Sequence, residues 1–191
     1  MVSSQFPPEN GHSQIVSVTL TDDAGRAISC HVEQWLEVDG QQYALLSPED
    51  VPIEIFSWQT DKDEETAILL EDDTEIDLIF STAEAVLQEL NLTLKRTALT
   101  LTVTGELPPI VEDEILILDL EDETFDLESE QFQLLANFFH QDQEYAIYTP
   151  LDPLMFFARL SATGETELLS PEEFQKMQPL LEAQLLEQLE Q

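Results

Sequence analysis

Apolar and polar positions alternate through much of this chain. Ile15 to Thr21 has a period of two and is rich in β-branched residues, which predicts a strand. After the turn at Asp22-Asp23-Ala24-Gly25, Ala27 to Val38 is a second apolar stretch, and Asp39-Gly40 is the strongest hairpin signal in the chain. Tyr43 to Leu46, Ile53 to Trp58 and Thr66 to Leu70 continue a meander of short strands. From Ser81 the spacing of Ala85, Val86, Leu87 and Leu90 turns helical, and Ser81 with Glu84 forms a capping-box pattern that predicts the helix start there. Thr93 to Thr104 reads as one alternating strand, broken by Gly105 to Pro109.

The pattern then recurs. Ile115 to Leu118, Phe132 to Phe139, Glu144 to Tyr148 and Leu154 to Leu160 read as strands, and Ser170-Pro171-Glu172-Glu173 opens a closing helix. Pro179 is expected to kink that helix or begin a new one. Gln42-Tyr43-Ala44-Leu45-Leu46-Ser47-Pro48 returns as Glu144-Tyr145-Ala146-Ile147-Tyr148-Thr149-Pro150, with an Asp two residues past each Pro. Self-similarity at a period near one hundred residues predicts two related globular modules rather than a solenoid, whose repeats run about 20–50 residues. The expected fold is therefore α+β: two modules, each a small, mostly antiparallel sheet followed by a C-terminal helix. The expected boundaries are a leader at residues 1–14, a first module at 15–92 and a second at 93–191. Gln141-Asp142 stands where the first copy has Asp39-Gly40, so another turn type is expected there.

Charge changes the picture. Forty-one acids against six bases give a net charge of -35, and a hydrophobic fraction of 42% argues that the chain folds despite it. Such a field repels nucleic-acid phosphates and anionic membranes and favours a basic protein partner, so direct nucleic-acid binding and membrane binding are not expected. No apolar run approaches the roughly 18 residues of a membrane span, and the leader lacks the basic and apolar regions of a secretory signal, so a cytoplasmic protein is expected.

Catalytic and metal motifs are missing from this pattern. Cys30 is the lone cysteine, which removes an intramolecular disulfide and a thiolate zinc cluster. His12, His31 and His140 are scattered, and Cys30 and His31 lie side by side on a predicted strand, pointing to opposite faces. The acidic runs (Asp61 to Asp77, Glu112 to Glu130) would bind cations weakly, but neither Asp22-Asp23-Ala24-Gly25 nor Glu71-Asp72-Asp73-Thr74 has calcium-loop spacing. No catalytic residue, metal ligand or cofactor is assigned.

The second copy is richer in aromatics than the first, and the last segment carries leucines from Leu180 to Leu189. Most of these side chains are expected in cores. Phe139, Tyr148, Phe156, Leu185 and Leu189 are the candidate partner-binding residues, since exposed apolar surface with a charged rim is where protein contacts form.

Thr21 to Gly25, Val38 to Pro48 and Glu71-Asp72-Asp73 followed by a short helix resemble the YrzB-like acidic proteins of Firmicutes, the family of domain of unknown function 1292. The second half resembles the related uncharacterised domain of unknown function 3727, fused to it in cyanobacteria and plant plastids. The resemblance implies an intracellular cyanobacterial or plastid protein and carries no assigned active site. The expected function is a non-enzymatic acidic interaction or assembly module; the rival is a cation-binding or carboxylate-based small enzyme.

Overall fold

The computed structural model describes residues 16–119 and 129–190. In chain order its strands are β1 (Ser17–Thr21), β2 (Ala27–Val38), β3 (Gln41–Pro48), β4 (Val51–Asp61) and β5 (Glu64–Leu69), followed by helix α1 (Asp73–Glu89). Strands β6 (Thr93–Arg96), β7 (Leu101–Thr104), β8 (Ile115–Asp119), β9 (Ser129–His140), β10 (Gln143–Pro150), β11 (Phe156–Leu160) and β12 (Thr166–Leu168) precede helix α2 (Pro171–Leu189). The fold is α+β, all strand pairings among the described residues are antiparallel, and a helix closes the chain. The expected leader, and Glu121, Asp122, Glu123, Asp126 and Glu128 of the second acidic run, lie outside the described residues.

The chain divides into two compact units, one made of residues 1–49 and 155–191, the other of residues 50–154. This cut differs from the expected boundary near residue 92, because strands from both halves of the sequence pair in each unit. In the first unit the strand order is β1-β2-β3-β11-β12. Residues Phe156 to Arg159 of β11 pair with Leu46 to Tyr43 of β3. Helix α2 lies on this sheet, where Leu181 joins Leu36, Val38, Tyr43 and Leu169 in a buried cluster flanked by Phe174, Met177 and Leu185. Positions 174, 177, 181 and 185 recur at helical spacing, so one stripe of α2 faces the sheet. Ser170 caps the helix as its sequence predicts: its Oγ accepts from Glu173 N at 3.2 Å, and Ser170 N donates to Glu173 Oε2 at 3.2 Å. Pro179 lies inside a helix that runs unbroken from Pro171 to Leu189.

In the second unit, β4 and β10 are the central neighbours of a sheet ordered β6-β7-β4-β10-β9-β8, with β5 also on β4. Helix α1 places Ile76, Ile79, Ala83 and Leu87 against a core that includes Ile53, Ile55, Leu135, Phe138, Tyr145 and Ile147. The helix begins eight residues before the predicted Ser81, because Asp72 caps it: Asp72 Oδ1 accepts from Thr74 N at 2.8 Å and Glu75 N at 3.2 Å. Ser81 and Glu84 are mid-helix. The predicted long strand at Thr93 to Thr104 is a hairpin of β6 and β7. Gly105 follows it at φ 127°, where an added Cβ would meet Asn91 O at 2.6 Å, so a side chain would be strained and crowded.

The hairpin turns correct another expectation. Asp39-Gly40 has φ of 52° and 79°, and Gln141-Asp142 has 48° and 64°. Both loops are two residues long with positive φ throughout, the type I′ geometry, so the second copy keeps the turn despite lacking its glycine. Lys62-Asp63 does the same between β4 and β5, at 49° and 72°.

Candidate interaction surface

Most of the chain's few bases are engaged with its own acids. Arg26 Nε donates to Asp22 Oδ2 at 2.7 Å, and Lys95 Nζ lies 3.0 Å from Asp50 Oδ2. Arg96 reaches both Asp73 (2.9 Å) and Asp77 (2.6 Å) on α1, tying β6 to the helix. Arg159 on β11 donates to Glu173 at 2.9 Å and to Glu167 at 3.2 Å, joining α2 to the sheet. The Arg159 hydrogen bond, with help from Ser170 N, holds the Glu173 carboxyl below the usual range. Four of the six bases are thus spent internally, and the acidic field is left without cationic patches at those positions.

The candidate docking residues fall in both units. Phe139, near the end of β9, is 66% exposed, opposite Glu144 in the ladder to β10. Tyr148 is only 5% exposed: its ring stands edge-on to Phe56 at 5.6 Å in a cluster with Phe132 and Ala146. Tyr148 is therefore a core residue and offers a partner nothing. Phe156 is half-buried on β11, pointing away from the face on which Phe157 stacks against Phe174 at 5.8 Å. Leu185 belongs to the stripe of α2 that packs on the sheet, which corrects its placement on an open face. Leu189 is 72% exposed, and Leu186, three residues before it, is also open. The terminal leucines therefore divide between a packed stripe and an exposed pair, a split that their number alone does not show.

Cys30 is buried, and its thiol is pushed up to about 11, first by burial and then by the charge of Glu49. It is neutral and inaccessible, unlike a nucleophilic thiolate. Neighbouring His31 points its Nδ1 at Glu49 Oε1, 3.7 Å away, rather than at the thiol. Glu54 on β4 is half-buried; burial raises its carboxyl, and Glu130 and Glu71 push the same way. Among the described residues, no three His, Cys, Asp or Glu side chains are placed to hold a metal ion. No described helix is long and apolar enough to cross a membrane.

Residues 91–188 match the family of proteins of unknown function called DUF3727, about half of the chain. The chain belongs to that family. Residues 23–88 match a second family of unknown function, DUF1292, so the two stand in tandem. No curated protein and no solved structure matches the chain. The junction between the matches lies in the α1–β6 turn, inside one compact unit, so each unit draws strands from both DUF1292 and DUF3727 segments.

Proposed function

We propose that this DUF1292–DUF3727 chain is a non-enzymatic interaction module that presents an acidic surface to a basic protein partner. The observation that carries the reading is the net charge of -35, combined with the internal use of Arg26, Lys95, Arg96 and Arg159. A field of that size raises the encounter rate with a cationic surface and weakens steeply as salt screens it. The test is capture on the immobilised chain at low salt, identification of the retained protein, and titration of that purified protein across ionic strength. A basic partner released near about half-molar salt supports the proposal. Retention indifferent to salt, or no basic protein retained, overturns it.

The scaffold carries a second part of the reading, a duplication with exchanged strands. Ala27 and Ser129, Val38 and His140, Gln41 and Gln143, and Pro48 and Pro150 bound corresponding strands, each pair 102 residues apart. The order β1-β2-β3-β11-β12 in one unit corresponds to β8-β9-β10-β4-β5 in the other. Each half lends its later strands to the sheet begun by the other. The β6–β7 hairpin is added only to the second unit.

A further inference from the structure

The first unit's sheet ends in two open edges. Among the described residues, β1 pairs only with β2, and β12 only with β11. Along an antiparallel ladder a strand's peptide groups alternate, one residue bonding its neighbour and the next facing away. Val32 N donates to Val16 O and Asp22 N to Arg26 O at either end of the β1–β2 ladder. With the register Ser17↔His31 to Thr21↔Ala27, this phase turns the N–H and C=O of Ser17, Thr19 and Thr21 outward. On the other edge, Ser161 N donates to Glu165 O and Leu169 N to Phe157 O, so Thr166 and Leu168 turn theirs outward.

A cavity of about 500 Å³ is lined by both edges; Ser17, Thr19, Thr21 and Thr166 contribute to its walls, with Trp35, Glu165 and Glu167. Four antiparallel steps connect β1 to β12, so the two edges run in the same direction and cannot join as an antiparallel pair. One more strand between them would be antiparallel to both. At their nearest the edges come within 8 Å between Cα atoms. That falls short of about 9.5 Å, two ladder spacings, so an entering strand must widen the narrow end.

We propose that this seam binds an extended segment of a partner protein, with lysine or arginine at alternate positions, as an added β-strand. The open peptide groups supply main-chain hydrogen bonds, the mode by which sheet edges capture peptides. Specificity for basic side chains comes from Glu165, while Glu167 on the same wall shares its carboxylate with Arg159; no Lys or Arg is among the described residues that line the cavity. Trp35 supplies an apolar wall for the intervening residues. The charge of the segment rests on the proposed function above; its pairing mode does not.

The test uses the full chain, labelled for amide NMR at low salt, and a capped peptide of alternating lysine and valine about as long as β1. The amides of Ser17, Thr19, Thr21, Thr166 and Leu168 are expected to shift and to become protected from exchange. Methylating alternate peptide nitrogens, which leaves the protein untouched, should weaken binding about tenfold, the scale of one or two lost hydrogen bonds. Thr19→Pro removes an outward N–H at an edge, where proline is tolerated, and should weaken binding similarly. Equal binding of the methylated peptide, or shifts confined to acidic surface away from the seam, overturns the strand-addition proposal while the basic-partner reading stands. Equal binding of a glutamate–valine peptide overturns the charge preference. Failure of the lysine peptide to bind at any salt concentration overturns the proposal, and the basic-partner reading stands or falls by its own capture experiment.

Discussion

Leu181→Ala should unfold the first unit's helix–sheet interface far more readily than a change at the neighbouring leucines. Leu181 is 0% exposed and sits among Leu36, Val38, Tyr43 and Leu169. The substitution removes three carbons, worth about 2.4 kcal/mol at ~0.8 kcal/mol each. The residual void adds on the order of 1 kcal/mol, because a packed sheet and helix relax only partly. Alanine's better helix propensity returns only about 0.2 kcal/mol. The expected loss is therefore about 3 kcal/mol, within the range for buried leucine truncations. Leu189→Ala, at a site 72% exposed, should fall within about 0.5 kcal/mol of the parent. Tryptophan fluorescence separates the units: Trp35 lies in the first, and its carbonyl accepts from Gln188 of α2 at 3.3 Å, whereas Trp58 lies in the second. In a Trp58→Phe background, urea unfolding followed through Trp35 should show the midpoint fall by about 1–2 M for Leu181→Ala. A loss below about 1 kcal/mol, or equal losses for both variants, would refute the assignment of Leu181 as the helix anchor.

Asp142→Gly should stabilise by about 0.5–1 kcal/mol in thermal unfolding, since Asp142 is held at φ 64° where glycine is unstrained; a loss would show that the aspartate side chain sustains the turn. Glu54→Gln should stabilise the protein at pH 7 but not at pH 4. Burial, then Glu130 and Glu71, raise the folded carboxyl above its ordinary value of 4.5, so its contribution is present below that value and lost as pH rises through the folded one. Denaturant midpoints across that range check the sign, and a benefit greatest in acid refutes it. Cys30 should resist a thiol reagent at pH 8 in the native state and react at once in urea; prompt native labelling would contradict its burial and raised thiol. Separate chains 1–108 and 109–191 should each fail to fold as a monomer yet assemble when mixed, because β3 needs β11 and β10 needs β4. Dispersed NMR spectra from either monomer would argue against exchanged strands.

Much of the fold was legible in the residues. Alternation located most strands, Ser170 and Glu173 marked the start of α2, and the two Tyr-Ala segments, Tyr43-Ala44 and Tyr145-Ala146, fall on strands β3 and β10. The start of α1 was also written locally, in Asp72, but among many acids one capping aspartate carries little distinction. The acidic field follows from composition. Of the candidate docking residues, Phe139 and Leu189 are exposed, whereas Tyr148 and Leu185 were claimed by packing, which depends on what lies opposite each face.

Strand partnership was decided only in the tertiary structure. A ladder hydrogen-bonds peptide groups, which every strand offers alike, so β3 finds an acceptable neighbour in either β4 or β11. Glu49-Asp50 is short enough for a β3–β4 hairpin, but its closing pair would be Pro48 and Val51, and Pro48 has no N–H to donate. Glu49 N instead donates to Ser29 O at 2.9 Å, and the chain continues into the other sheet. Alternation fixes which side chains share a face, because its period is local. Which strand lies alongside, and hence that β1 and β12 are the edges of their sheet among the described residues, depends on contacts more than one hundred residues apart.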